Sequence, residues 1–212
     1  GALVIATPVS VVAGIGNAAR QGILIKGGDH LEKIGRIETI VLGKTGSLTM
    51  GRPELVGVWA RTEDEEGLLR LAGTVEKFSE HPLARPIVEA AEANGALPQA
   101  TSFQVWPGRG VSAEVEGRQI AVGSIKLMEQ LGVGFDEIAV QRLREQEERG
   151  RTAVLVAEGT EVIGALFLAD TPRSDAYSLA GDLKKHGVKE VIMLTGDNDL
   201  TAKAIADELG LD

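Results

Sequence analysis

The segment that most constrains this chain is the apolar, β-branched run Thr39-Ile40-Val41-Leu42, which stops abruptly in Gly43-Lys44-Thr45-Gly46-Ser47-Leu48-Thr49. A short apolar run of this kind reads as a strand of a parallel sheet buried on both faces. The loop that follows directly then sits at the carboxyl end of its strand, where α/β folds bind ligands. Thr45, Gly46 and Thr49 offer hydroxyls and closely approachable amides. Those groups suit a phosphate and equally a plain strand-to-helix turn, and the residues alone leave both open. A second apolar strand, Val191 to Leu194, ends the same way in Thr195-Gly196-Asp197-Asn198 and poses the same choice.

The remaining periodicity divides the chain. Leu68, Leu69, Leu71, Ala72 and Val75 recur at helical spacing within Glu63 to Lys77, and Pro82 opens a second helix ending at Ala93 before Asn94-Gly95. Between these and the first strand, Gly51-Arg52-Pro53 is expected to close a loop. From Ser102 to Val122 the pattern shortens to antiparallel strands, with Glu116-Gly117 as a hairpin turn. Ser124 to Leu131 and Asp136 to Arg149 are expected as helices, the second a solvated, charge-rich one. Ala153 to Ala157 and Val162 to Leu168 read as strands joined by Glu158-Gly159-Thr160; Ser174 to His186 and Asp199 to Leu209 read as helices. The ends of the chain thus predict a parallel α/β sheet, and the middle an antiparallel α+β domain inserted into it.

Composition excludes several classes. The 212 residues suit one or two domains, and a net charge of -9 without a basic block argues against nucleic acid as a partner. With no Cys there are no disulfides or thiolate metal sites, and His30, His81 and His186 are too scattered for a zinc centre. Gly1 to Ala19 carries no charge and as a helix is about 28 Å long, enough for a bilayer core. It is read as the end of a membrane helix, with a buried helix of a soluble protein as the alternative.

Lys44-Thr45-Gly46-Ser47-Leu48-Thr49 behind an apolar strand resembles the phosphorylation motif of the P-type ATPases, Asp-Lys-Thr-Gly-Thr-Leu-Thr, with Gly43 at the position of the phosphorylated Asp. Those enzymes are a branch of the haloacid-dehalogenase-like fold. Further matches follow in family order. Ser79-Glu80-His81-Pro82 resembles the His-Pro motif of the heavy-metal-transporting subfamily; the resemblance places His81 near the adenine and has Glu76 help hold the base. Gly108-Arg109-Gly110 resembles the Gly-x-Gly nucleotide loop, with Gly123 matching downstream and Ser124 replacing the usual Asn. Asp170-Thr171-Pro172-Arg173 resembles the Asp-x-x-Arg at re-entry into the phosphorylation domain, and Thr195-Gly196-Asp197 the second phosphate-binding motif. The run Ala2 to Pro8, Lys26-Gly27-Gly28 and Leu31-Glu32 resemble the exit from the transport-site helix, and residues 4–10 and 14–19 look more like zinc, cadmium, lead or cobalt exporters than copper ones.

The resemblance implies residues 1–28 as the end of a membrane helix, 29–57 and 161–212 as an incomplete phosphorylation domain, and 58–160 as the inserted nucleotide-binding domain. It implies ATP and Mg2+ as cofactors, ATP or ADP and a divalent heavy-metal cation as partners, and a cytoplasmic position beside the membrane. The implied catalytic positions are Gly43, Lys44, Thr45, Thr195, Gly196 and Asp197; the nucleotide positions are Glu76, His81, Gly108, Gly110 and Gly123; the Thr45 carbonyl is the one magnesium ligand. Gly43 removes the acceptor, because only a carboxylate there could take the γ-phosphoryl group. The chain is therefore expected to bind nucleotide without turnover. The alternatives are a natural regulatory pseudo-ATPase and a soluble phosphatase of the same fold, the latter weakened by Thr45 at the place of a second aspartate.

Overall fold

A computed structural model describes residues 38–212. The expected membrane-helix end, its exit motifs and the exporter-like residues 4–19 lie outside these residues. The described chain runs β1 (Thr39–Gly43), β2 (Thr49–Ala60), α1 (Glu65–Glu76), α2 (Ala84–Glu92), β3 (Ala100–Trp106), β4 (Gly110–Val115), β5 (Arg118–Gly123) and α3 (Ile125–Gln130). It continues through α4 (Glu137–Glu147), β6 (Thr152–Glu158), β7 (Glu161–Pro172), α5 (Ala176–Lys185), β8 (Glu190–Leu194) and α6 (Asp199–Leu209). Two compact units result, one of residues 38–52 and 170–212, the other of Pro53–Ala169.

In the first unit β1 and β8 pair in parallel, Ile40 opposite Val191 and Gly43 opposite Leu194. Ile40, Leu42 and Val191 are buried with Leu179 and Leu183 of α5 and Ile205 and Leu209 of α6. Each such side chain contributes roughly 1.5–3 kcal/mol on leaving water. Helix α6 is bounded as its sequence dictates: Asn198 accepts from the Thr201 amide at 2.9 Å, and Gly210 takes the left-handed conformation at φ 67°. Past it, the Asp212 amide donates to the Val191 carbonyl at 2.8 Å.

The second unit is built on a six-stranded sheet in the order β2-β7-β6-β5-β4-β3, with antiparallel neighbours from β3 to β7. Alternation along the strands fills both faces. Val111, Val122, Val154 and Val156 are buried with Leu68, Leu71, Val75 and Ile87 of α1 and α2. Leu155, Ala157 and Phe167 are buried with Leu127, Met128 and Leu143 of α3 and α4. The starts of three helices follow the usual caps: Asp64, Ser124 and Asp136 each accept from an amide three residues on.

One expectation is corrected. Gly51-Arg52-Pro53 does not close a loop but lies inside β2, a strand of twelve residues. Proline and glycine depress the local strand signal, yet β2 is an edge strand, where a missing ladder donor is tolerated.

Candidate functional site

The parallel register of β1 and β8 sets the first group of residues. Because Gly43 lies opposite Leu194, the loops that start at Lys44 and Thr195 leave the sheet side by side. Lys44 is buried at 8% exposure, and its ammonium forms an ion pair with the Asp197 carboxylate. The Asp197 amide donates to the Thr195 hydroxyl oxygen at 3.1 Å, which fixes the start of that loop. Gly43 sits at φ -68°, ψ 141°, extended backbone open to any residue, so an aspartate there needs no backbone change. Thr45 and Gly46 are exposed, and Gly46 turns the chain at φ 76°.

Thr49 and Asp170 brace this loop. The buried Thr49 hydroxyl lies 2.6 Å from Asp170 Oδ2, 3.3 Å from the Lys44 carbonyl, and accepts from the Gly46 amide at 3.2 Å. Asp170 Oδ1 accepts from the Arg52 amide at 3.0 Å, and the Arg173 amide donates to the Leu48 carbonyl at 2.9 Å. The Arg173 side chain turns to Asp175 at 3.2 Å. The Asp-x-x-Arg stretch thus ties the loop down through Asp170 and the Arg173 backbone. Sequence reasoning did not find the Thr49–Asp170 pair, whose members stand 121 positions apart.

Magnesium has little to hold it here. Among the described residues no group of three or more His, Asp or Glu could take a metal ion. Asp197 is engaged by Lys44, leaving the Thr45 carbonyl as a single oxygen, whereas magnesium asks for a near-octahedral set. Among the described residues the side chains form no all-protein cage for a resident magnesium ion.

The second group lies in the other unit, where α1 ends in Glu76. Its side chain is 6% exposed, and burial pushes its pKa up to about 7. The Ser79 hydroxyl donates to this carboxyl and opposes the shift. Among the described residues its Oε2 is buried with no hydrogen-bond partner. The Ser79 oxygen in turn accepts from the His81 amide at 3.2 Å. His81 Nδ1 accepts from the Leu83 amide at 3.1 Å, so the neutral ring carries its proton on Nε2, and desolvation holds its pKa below the usual histidine value. Ser79 therefore links two expected nucleotide positions. The sequence had shown it only as a neighbour of the His-Pro motif.

The glycines divide by what surrounds them. Gly110 and Gly123 face one another across β4 and β5. A Cβ on Gly110 lands 2.3 Å from the Val122 carbonyl oxygen, and one on Gly123 lands 2.3 Å from that of Arg109. Both are glycine because the backbone crosses itself there. Gly108 has open space around its missing Cβ but turns the chain at φ 71° after a hydrogen bond from the Arg109 amide to Trp106. A separate cleft of about 490 Å³, lined by Trp59, Glu63, Asp64, Arg142 and Phe167 among others, includes none of these residues.

Comparison with known proteins identifies the family. Residues 37–212 match the haloacid dehalogenase-like hydrolases. The chain belongs to that family. Its relatives include the probable copper-exporting P-type ATPase V of Mycobacterium tuberculosis, 42% identical over 213 residues that take in 100% of this chain and 28% of the relative. The copper-exporting P-type ATPase of Bacillus subtilis is 43% identical over 213 residues, 99% of this chain and 26% of the relative. This haloacid dehalogenase-like chain thus spans about a quarter of the length of those relatives. Among solved structures, a zinc-transporting PIB-type ATPase in the E2.Pi state matches with TM-score 0.63 and 39% identity over 95% of this chain and 33% of that one. A catalytic CPx-ATPase domain studied on nucleotide binding matches with TM-score 0.63 and 26% identity over 93% of this chain and 68% of that one. The family expected from the motifs is therefore the family found, and so is the fold, a parallel-sheet α/β domain carrying an inserted antiparallel α+β domain. The homologous P-type ATPases are membrane proteins; no helix of the described residues is long and apolar enough to cross a membrane.

Proposed function

We propose that this chain is the nucleotide-binding and phosphorylation region of a heavy-metal-exporting P-type ATPase, and that with Gly43 in place it binds ATP without turning it over. In this reading residues 58–160 hold the nucleotide, while 29–57 and 161–212 supply the phosphorylation domain. The observation that carries the proposal is the buried Glu76 carboxyl, whose Oε2 lacks a partner beside the Ser79–His81 bridge. A buried acceptor left unmatched is costly, and an exocyclic amino group of adenine supplies the missing donor. His81, exposed and predominantly neutral at pH 7, offers a ring face for the base. Thr195 and Lys44 lie where the terminal phosphate is expected, and magnesium arrives on the nucleotide's own phosphates.

The test is a titration of the chain with MgATP, followed by the His81 ring resonances and the Gly108 to Gly110 amides. Binding moves both sets of signals; if millimolar nucleotide leaves them still, the reading is wrong. Turnover is tested separately with γ-labelled ATP. The chain as it stands gains no acid-stable, hydroxylamine-sensitive label. Label on Gly43→Asp in the whole protein identifies the missing carboxylate as what stops the reaction. Absence of label from that variant favours the regulatory pseudo-ATPase instead. A heavy-metal cation is the cargo of the whole protein under this reading, and stimulation of ATP hydrolysis by copper against zinc in the whole protein carrying Gly43→Asp distinguishes the two metals of the relatives.

A further inference from the structure

Strand β2 is an open edge of the six-stranded sheet, with β7 as its neighbour. The Arg61 amide donates to the Ile163 carbonyl at 2.9 Å, and a Cβ on Gly164 would land 2.3 Å from the Trp59 carbonyl oxygen. Trp59 and Arg61 therefore turn their backbone groups toward β7. By the alternation of a strand, Val58 and Ala60 turn theirs to the open side, which takes no backbone partner among the described residues. Natural edges are blunted by a charge, a proline or a bulge. Residues 55–60, Leu-Val-Gly-Val-Trp-Ala, carry neither charge nor proline. The cleft of about 490 Å³ is lined by Gly57 to Ala60 of this stretch and by Arg142, Glu145 and Gln146 of α4. A Cβ on Gly57 would rest on the Phe167 ring at 3.4 Å, an ordinary contact, so a larger side chain there occupies the cleft. The rim is acidic, with Glu63, Asp64, Glu65 and Glu145 against Arg142. Glu63 is held by Arg118 and Asp64 caps α1, whereas the exposed Glu65 and Glu145 form no ion pair among the described residues.

We propose that this cleft docks an extended, basic segment of a partner protein, which adds to β2 as a further strand. Main-chain pairing with the outward groups of Val58 and Ala60 supplies affinity, and the cleft supplies selectivity. Successive side chains of a strand point to opposite faces, so residues two apart enter the cleft together. One apolar residue packs against Trp59, and a Lys or Arg two positions away reaches Glu65 or Glu145. A second copy of this chain suits the cleft less well, since its net charge of -9 opposes an acidic rim. None of the expected nucleotide positions lines the cleft, so the two sites are separate.

The probe is a capped peptide of about eight residues, with threonine at every other position and valine alternating with lysine between. Titrated into the full chain, it shifts the Val58 and Ala60 amides and protects them from solvent exchange. The same peptide with glutamate for lysine binds about tenfold more weakly or worse. Gly57→Val, a strand-favouring residue that fills the cleft, weakens the lysine peptide by about tenfold or more. Glu65→Lys together with Glu145→Lys reverses the preference between the two peptides, and as a change of exposed side chains it decides the matter even where Gly57→Val does not fold. Binding indifferent to either change, or no binding at millimolar peptide, overturns the proposal. So does a shift of the same amides with chain concentration in the absence of peptide, which assigns the edge to a second copy.

Discussion

Two buried ionisable sites govern the described residues at the scale of single side chains. Lys44 and Asp197 neutralise one another in a largely buried setting, and removing either partner strands a charge. Glu76 is the opposite case, an acid with no ionic partner among the described residues. Its folded pKa of about 7 lies above the ordinary value of 4.5, so between these values the folded state binds more protons than the unfolded one. Stability therefore falls as pH rises through that window and levels off above it. Glu76→Gln removes this slope, and relative to the natural side chain it gains about 2 kcal/mol on going from pH ~5 to pH ~8. Denaturant melts of both proteins at the two pH values check this; parallel pH profiles would refute it. His81, whose folded pKa is lowered, contributes stability that is lost as pH falls, so the substitution is needed to separate the two. Thr49→Val takes the hydroxyl from Asp170 while keeping shape, and should cost about 1–2 kcal/mol, read from the shift in denaturation midpoint.

Elements show why some glycines are fixed and others are not. Gly110→Ala and Gly123→Ala each drive a methyl group into a facing backbone carbonyl at 2.3 Å, which side-chain motion cannot relieve. Either should cost 3 kcal/mol or more, roughly, and abolish the cooperative melt of the antiparallel unit. Gly108→Ala meets no atom and carries only the cost of its positive φ, about 1 kcal/mol. If all three alanine variants melt alike, the strand crossing is not what requires glycine. The helices and buried strands were legible because each carries a local period: Leu68, Leu71, Ala72 and Val75 on α1, Val154 to Ala157 on β6. Strand β2 was not, since Gly51 and Pro53 speak against a strand locally and only pairing at the edge of the sheet holds them in one.

Across the whole molecule, nucleotide binding gives the sharpest prediction. A ligand that binds only the folded state, at a hundred times its Kd, stabilises by about 2.7 kcal/mol. MgATP should therefore raise the melting temperature of the unit Pro53–Ala169 by several degrees, and Glu76→Ala should abolish most of that rise. Calorimetry with and without nucleotide measures it, and an unchanged thermogram would count against the nucleotide site.

The sequence alone determined the family, the two phosphate-loop motifs and most helices and strands, because these depend on residues close together in the chain, where spacing, capping and apolar period act. Only the tertiary structure decided that Thr49 is anchored by Asp170, that Lys44 is spoken for by Asp197, that Gly110 and Gly123 exist for one another, and that Glu76 keeps a buried oxygen unmatched. Each of these is a relation between segments far apart in sequence or a matter of burial, and both are set by how the chain packs rather than by any run of neighbouring residues.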